Sequence, residues 1–434
     1  MVSRLGNEFK ETELGWIPKE WNISELENLT IKITDGAHHS PPTFERGYPI
    51  ATVENMEYSS IDVTACRTIS GEDFELLKRN SCSPEYGDVL FSKDGTIGKT
   101  FVYKQWDEIV LLSSIAIIRT NKAVLLPQYL TFFLQSPYFY WNLERLRSGS
   151  AIKRIVLKDI KRVLLPIPSL KEQQKIASIL SSVDEAIGKI KAIIEKTEKV
   201  KKGLMQQLLT KGVGHTKFKK TEFGEIPEEW EIQNVEFISN KITDGEHITP
   251  VYRDKGKYLL SAKDVLVDKL NFEQSKFVDE KDFEKFTTKC KPEYGDILMV
   301  SRGATIGRTH LVKTNEEFCL MGSVILVKPK HEMVNNSFLR YFLQSNYAQR
   351  ELYRISGSSA QQAIYLSGLK KFKIPLPSMQ EQKQIARTLE GIERKVFNER
   401  ANIIQLNLIK KGLMQSLLTG KVRVKVDESE VTQV

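Results

Sequence analysis

Cysteine is scarce in this 434-residue chain, with four in all: Cys66, Cys82, Cys290 and Cys319. They are widely scattered, form no C-x-x-C pair and have no histidine at zinc-ligand spacing. That argues against a disulfide framework or a structural metal. Long apolar runs are also missing. The longest strongly apolar stretch, Ile109–Ile118, is ten residues between Glu108 and Arg119, too short to cross a bilayer. The opening residues, MVSRLGNEFK, contain no apolar core of a secretory signal, so a cytoplasmic location is expected. Charge is nearly balanced, 64 Lys and Arg against 55 Asp and Glu, a net +9. That moderate excess suits a polyanion without singling one out.

Catalytic signatures are equally sparse. No G-x-G-x-x-G, H-E-x-x-H, G-x-S-x-G or Asn-Pro-Pro-Tyr-type adenine methylation loop occurs. TIGKT at 96–100 approaches a P-loop, but Lys93 stands five residues before Gly98, and Arg302 before Gly307, where glycine is required. Nucleotide binding there is rejected. A Gly/Thr turn meeting a phosphate through backbone amides, or a structural strand-turn-strand, both fit. Asp35 with His38 and Asp244 with His247 share T-D-G-x-H. No nucleophile or oxyanion donor accompanies them. The reading is a tight Asp-Gly turn, with the histidine packed or turned toward a ligand.

What the chain does contain is itself, twice. KITDG at 32–36 returns at 241–245, PEYGD at 84–88 returns at 292–296, and TIGKT returns as TIGRT at 305–309. FLQS, SGS and KGLMQ recur in the same order, always at an offset of 208 or 209. Six collinear matches define a tandem duplication, and the period is domain-sized rather than solenoid-sized.

Each copy opens with an α+β part. Tyr48–Val53, Asp88–Ser92 and Ile109–Ile118 read as strands from β-branched content and turn flanks. Gln128–Gln135 and Tyr138–Leu146 carry helical periodicity. Each copy closes with a long helix. Behind Pro166 and Pro168, and again Pro375 and Pro377, Ser169…Glu172 and Ser378…Glu381 have capping-box spacing.

From there apolar residues alternate at gaps of four and three. The first seam is Ile176, Leu180, Val183, Ile187, Ile190 and Ile194, and its frame continues through Thr197 and Lys201 to Leu204 and Leu208. The second keeps the frame at Ile385, Leu389, Ile392, Val396, Glu399, Ile403, Leu406, Lys410, Leu413 and Leu417. Two amphipathic helices packed separately on their own domains are one reading. The narrow heptad stripe favours pairing with each other, most simply antiparallel. Lys201 and Lys410 interrupt both seams at equivalent positions. They mark a polar opening, a docking place for another subunit, or solvated lysines. The segment after the first helix, Phe218…Trp230, matches Phe9…Trp21, which makes the arrangement circular with a pseudo-twofold axis.

The expected fold class is α+β: two pseudo-repeated globular domains (target recognition domains in the resemblance given next) on two long helices in an antiparallel coiled coil. Boundaries fall at 1–168 and 212–377 for the domains, 169–211 and 378–420 for the helices, and 421–434 for a tail.

With its G-D-[VI]-L strands, G-x-x-G-[KR]-T turns, Pro-Ile-Pro-Ser and Pro-Leu-Pro-Ser strand ends and Glu-Gln-x-x-Ile-Ala helix starts, the chain resembles the specificity (S) subunit of type I restriction-modification systems. The resemblance covers nearly the whole chain. It implies a non-catalytic subunit in which each half reads one part of a split double-stranded DNA site. The helices would set the spacing and recruit two methylation subunits, and restriction subunits would join through the complex. S-adenosylmethionine, ATP and magnesium would belong to those partners, with no cofactor or metal in this chain. A helix from Ile176 to Leu208 rises ~48 Å, against roughly 34 Å for one DNA turn. A single-chain DNA-modifying enzyme and a structural or RNA-binding coiled-coil protein are the rival readings.

Candidate DNA-contacting residues are loop positions and repeated motif positions. In the first copy they are Thr34, Asp35, His38, His39, Ser40, Lys93, Lys99, Lys153 and Arg154. In the second they are Thr243, Asp244, His247, Thr249, Arg302, Arg308, Gln361 and Gln362. Polar side chains that differ between copies suit base reading. The equivalent Lys99 and Arg308 suit phosphate contacts.

Overall fold

A computed structural model describes residues 8–146, 154–357 and 362–426. The chain divides into two compact units, Met1–Lys191 with Ala401–Val434, and Ala192–Arg400.

The first unit opens with a hairpin, β1 (Phe9–Thr12) and β2 (Gly15–Pro18), then β3 (Asn22–Glu25), β4 (Thr30–Asp35), β5 (Tyr48–Ala51) and β6 (Arg67–Ile69). Helix α1 (Gly71–Arg79) follows, then β7 (Val89–Ser92), β8 (Thr100–Val102), β9 (Val110–Leu111) and β10 (Ile115–Thr120). Next come α2 (Pro127–Gln135), α3 (Pro137–Leu146), α4 (Leu157–Lys161), β11 (Leu164–Ile167) and the long α5 (Leu170–Lys211). The second unit repeats the order with β12 (Phe218–Thr221), β13 (Gly224–Pro227), β14 (Glu231–Asn234), β15 (Ser239–Asp244), β16 (Lys257–Leu260) and β17 (Lys276–Val278). It continues through α6 (Glu280–Lys289), β18 (Ile297–Val300), β19 (Thr309–Leu311), β20 (Phe318–Leu320) and β21 (Val324–Pro329). Helices α7 (Asn336–Leu343), α8 (Asn346–Ile355) and α9 (Leu366–Lys370), strand β22 (Lys373–Leu376) and helix α10 (Met379–Leu417) complete it.

Each unit is built on an antiparallel four-stranded sheet, ordered β4-β10-β7-β8 in the first and β15-β21-β18-β19 in the second. Its central strands are apolar over most of their length because both faces are covered. Val89, Phe91, Ala116 and Ile118 point into a core shared with α2, α3 and the long helices. Leu90, Ile115 and Ile117 point the other way, toward Ala51, Phe101 and Leu111. The period-two alternation survives inside a uniformly apolar run. Ile297, Met299, Ile325 and Val327 against Leu298, Val300, Val324 and Leu326 repeat the split. A three-stranded sheet, β6-β5-β9 or β17-β16-β20, backs the second face.

The run Ile109–Ile118 is not the single strand expected. It breaks at Leu112-Ser113-Ser114 because its halves serve different sheets: Leu111 pairs parallel with Ala51, while Ile115–Ile118 pair with β7. The PEYGD motif turns the chain into that sheet. In the first copy Asp88 accepts the Glu85 amide at 2.8 Å and grips Arg119 with two bonds of 2.9 Å. In the second, Asp296 takes the Glu293 amide at 2.7 Å and Lys328 at 2.8 Å.

The long helices meet within each unit, running antiparallel. In the first, Ile176, Ala177 and Leu180 of α5 share a core with Met414, Leu417 and Leu418 at the end of α10. In the second, Leu204, Leu208 and Leu209 near the end of α5 pack with Ile385, Ala386 and Leu389 at the start of α10. Seam residues Val183, Ile190, Ile194, Ile392, Ile403, Leu406 and Leu413 are half-buried, and Ile187 and Val396 are buried. Arg423, beyond α10, returns to Glu172 and Glu20 at 2.7 and 2.9 Å. The first unit thereby joins the start of the described chain to its end.

The capping box is realised by one arm. The amides of Glu172 and Glu381 donate to Ser169 and Ser378 at 3.3 Å. The glutamate carboxylates do not turn back to the cap, because buried tryptophans claim them. The following Gln173 and Gln382 reach into the domain, donating to the carbonyls of Pro168 and Pro377 and accepting the amides of Leu126 and Asn335.

Candidate nucleic-acid interface

Strand β4 delivers Asp35 to the sheet end, and β15 delivers Asp244. Gly36 follows, but not to make the expected tight turn. A Cβ there would lie 2.1 Å from the Leu111 carbonyl oxygen, and on Gly245 it would lie 2.2 Å from that of Leu320. Glycine is needed so that backbone can pass backbone; the Ala37 amide donates to Leu111 at 2.7 Å.

Beyond this crossing the first copy places His38, His39 and Ser40 on an exposed loop. Arg67 props that loop, donating to Pro41 at 2.8 Å and Ser40 Oγ at 2.6 Å. His38 Nε2 lies 3.3 Å from Asp35. Lys93 does not reach the surface. Its side chain is 2% exposed and its ammonium sits 2.9 Å from Asp35 Oδ2, also buried. The pair neutralises charge inside the fold, which removes both groups from base reading as the residues stand. Arg154 is exposed and lies 3.4 Å from Asp94.

The second copy is different at the same place. Hydrogen bonds fix the alignment that the sequence leaves gapped: the Lys93 amide donates to Ser114 and its carbonyl accepts Ile155, as Ser301 does with Ser323 and Ile364. Lys93 therefore corresponds to Ser301, and the second copy has one residue more between Ser301 and its TIGRT motif. Asp244, lacking the buried lysine, is held by His247 at 2.8 Å and by Lys289 of α6 at 2.9 Å. Burial pushes its carboxyl up, but these two partners outweigh that and hold it below its ordinary value. Asp244, His247, Ser301, Arg302, Ile364 and Tyr365 line an open cleft of about 350 Å³. Arg302 is exposed, bridged to Ala363, and Thr249 is exposed on the adjoining loop. Gln362 is half-buried beside that bridge.

Several candidates lie elsewhere. Thr243 is buried and Thr34 half-buried, their hydroxyls turned to the carbonyls of Asp244 and Asp35. Lys99 and Arg308, read as phosphate contacts, are turned inward. Lys99 Nζ donates to the carbonyls of Val53 and Met56 at 3.2 and 2.7 Å, and Arg308 to that of Val265 at 3.4 Å. They tie the TIGKT and TIGRT turns to the neighbouring loop. Within the first turn Ser92 Oγ donates to Thr96 and accepts the Lys99 amide, while the Gly98 amide goes to Ser92. The strand-turn-strand reading describes it. Lys153 and Gln361 lie outside the described residues. Tyr365, 60% exposed at the cleft, had no signal in the sequence because tertiary pairing, the Arg302–Ala363 bridge and the Ile364 amide on Ser301, brings its segment there.

Among the described residues no group of His, Cys, Asp and Glu is arranged to hold a metal ion, and no helix is long and apolar enough to cross a membrane.

The family model for the type I restriction modification DNA specificity domain matches residues 18–199 and again 211–408. The chain belongs to that family. It is 32% identical to the putative type I restriction enzyme MjaX specificity subunit of Methanocaldococcus jannaschii, over 96% of this chain and 97% of the relative. It is 29% identical to the MjaVIII specificity subunit of the same organism, over 96% of each. Among solved structures it shares its fold with the type I restriction-modification S subunit from M. genitalium, at TM-score 0.54, 14% identity and coverage of 92% and 96%. A chain of a type I restriction-modification assembly gives TM-score 0.57 at 16% identity, covering 94% of this chain and 99% of that one.

Proposed function

We propose that the chain is a specificity subunit that reads a bipartite double-stranded DNA site and directs methylation and restriction subunits to it. The observation that carries this reading is one framework used twice with different chemistry at its edge. The sheet order, the glycine crossing, the basic clamp on the turn and the helix start occur in both copies. The loop edge offers His38, His39, Ser40 and Arg154 in one copy, and His247, Thr249, Arg302 and Tyr365 in the other. Two readers of different sequence on one scaffold suit two unlike half-sites, because polar side chains at variable edges can match different base patterns. Coupling two modest readers raises affinity through effective concentration when their spacing is held.

The chain itself carries no catalysis in this reading. The methyl donor, ATP and magnesium are held by its partners. Two methylation subunits join, one for each copy of the repeated framework; Ile404 and Leu408 of α10, 62% and 60% exposed, give apolar surface for such docking. The test is sequencing of methylated sites after this chain is supplied to its methylation subunits. A split motif with a fixed gap supports the reading. Methylation by the chain alone supports the single-chain enzyme instead.

A further inference from the structure

An apolar heptad stripe does not by itself fix register, because a slide of seven residues sets apolar against apolar again. Lys201 and Lys410 stand in the two seams at equivalent places of the repeat. Lys410 Nζ lies 2.7 Å from Asp184, donates to Gln135 Oε1 at 2.9 Å and sits 5.3 Å over the Phe132 ring. Lys201 Nζ lies 2.5 Å from Glu393 and 5.6 Å over the Tyr341 ring. Arg340 and the Tyr341 hydroxyl close on the same carboxylate at 2.7 and 2.8 Å. Both lysines are largely covered, their side chains 21% and 13% exposed for Lys201 and Lys410.

We propose that Lys201 and Lys410 are positioning residues that lock the heptad register of the helix pair and, through it, the gap between the DNA half-sites. Replacing each lysine together with its acid by apolar residues would bury apolar surface without desolvating charge, so stability alone does not account for the two pairs. Specificity does, because both neighbouring registers are disfavoured. A seven-residue slide in one direction sets Lys201 against Arg400 and Lys410 against Lys191. In the other direction the lysines face Ala386 and Ala177, with no counter-charge. The native register alone gives both an acid. The same lysines touch α2 and α7, so each domain's own helix is seated at the locked position.

Spin labels at the exposed Lys189 and Gln405 read the register in the full chain, since one heptad is roughly 10 Å of helix. The wild type should give a single label distance and a single methylated gap. The double variant Lys201→Leu with Lys410→Leu strands the Glu393 and Asp184 carboxylates and should lose some thermal stability, yet still fold and show a second label distance. Its methylated sites should include a gap changed by about three base pairs, at ~3.4 Å each. Lys201→Glu with Lys410→Glu should favour the register facing Arg400 and Lys191, while Lys201→Arg with Lys410→Arg should keep the wild-type pattern. A single native distance in the leucine variant overturns the lock. The gap readout rests on the bipartite function proposed above and the label readout does not. A shifted label distance with an unchanged gap overturns the spacing role and leaves the bipartite reading standing, whereas methylated sites with no split motif overturn that reading.

Discussion

Trp21 and Glu172 are 151 residues apart, and the indole Nε1 donates to the Glu172 carboxylate at 3.0 Å. Trp230 and Glu381 repeat the bond at the same separation and length. Each bond fastens the first residues of a domain to the first turn of the long helix leaving it. Left-handed glycines clear the space: a Cβ on Gly420 would meet Pro18 at 2.3 Å, and one on Gly212 would meet Glu381 at 2.4 Å. The two sites are finished differently, Glu172 by Arg423, and Glu381 by the Val213 amide and His215 at 2.9 Å.

Trp21→Phe therefore leaves a buried carboxylate with Arg423 as its remaining side-chain partner. It should lower stability by about 1–3 kcal/mol in urea or thermal unfolding. Trp230→Phe should cost less, because Glu381 keeps a backbone amide and an imidazole.

Gly36→Ala should be among the most damaging small substitutions, about 3 kcal/mol or more, since the obstacle at 2.1 Å is backbone. Gly188→Ala is the counterpart. It lies in α5 with nothing within 4 Å of the added Cβ, and should stabilise by roughly 0.5–1 kcal/mol. Unfolding midpoints of the two variants should move in opposite directions.

Lys99→Met should reduce stability by about 1–2 kcal/mol by freeing two carbonyls of the adjoining loop. The slope of log affinity against log salt on DNA should stay unchanged. Arg302→Ala should leave stability within about 0.5 kcal/mol. It should weaken binding by about 1–3 kcal/mol at positions of one half-site. Salt titration of both variants on one duplex separates the roles.

Acid should loosen the second unit through Glu393. Burial alone would raise this carboxyl, but Arg340 and Lys201 outweigh it and hold its pKa down to about 2, from an ordinary 4.5. A depressed folded pKa stabilises fully above the unfolded value, and that contribution is lost as pH falls from about 4.5 toward 2. Glu393→Gln should cost on the order of 2 kcal/mol at neutral pH and flatten this part of the stability–pH curve.

The paired helices, the duplication and the circular closure were legible in the sequence, because heptad spacing and collinear repeats leave a strong periodic mark. The edge was less so. Lys93 read as a surface base because one extra residue between Ser301 and the second TIGRT motif hides its true counterpart, Ser301. Ile109–Ile118 read as one strand because period-two burial on both faces looks the same before and after a change of sheet. Lys99 and Arg308 matched each other for a shared structural clamp, and a repeated basic residue cannot be told from a phosphate contact by position alone.

The central claim is that each repeat reads its own half of the DNA site. Residues 25–165 can be exchanged for the recognition domain of another specificity subunit, and the methylated sites sequenced with the same methylation subunits. One half of the recognised site should change, with the other half unchanged. A change in both halves together would contradict separable readers.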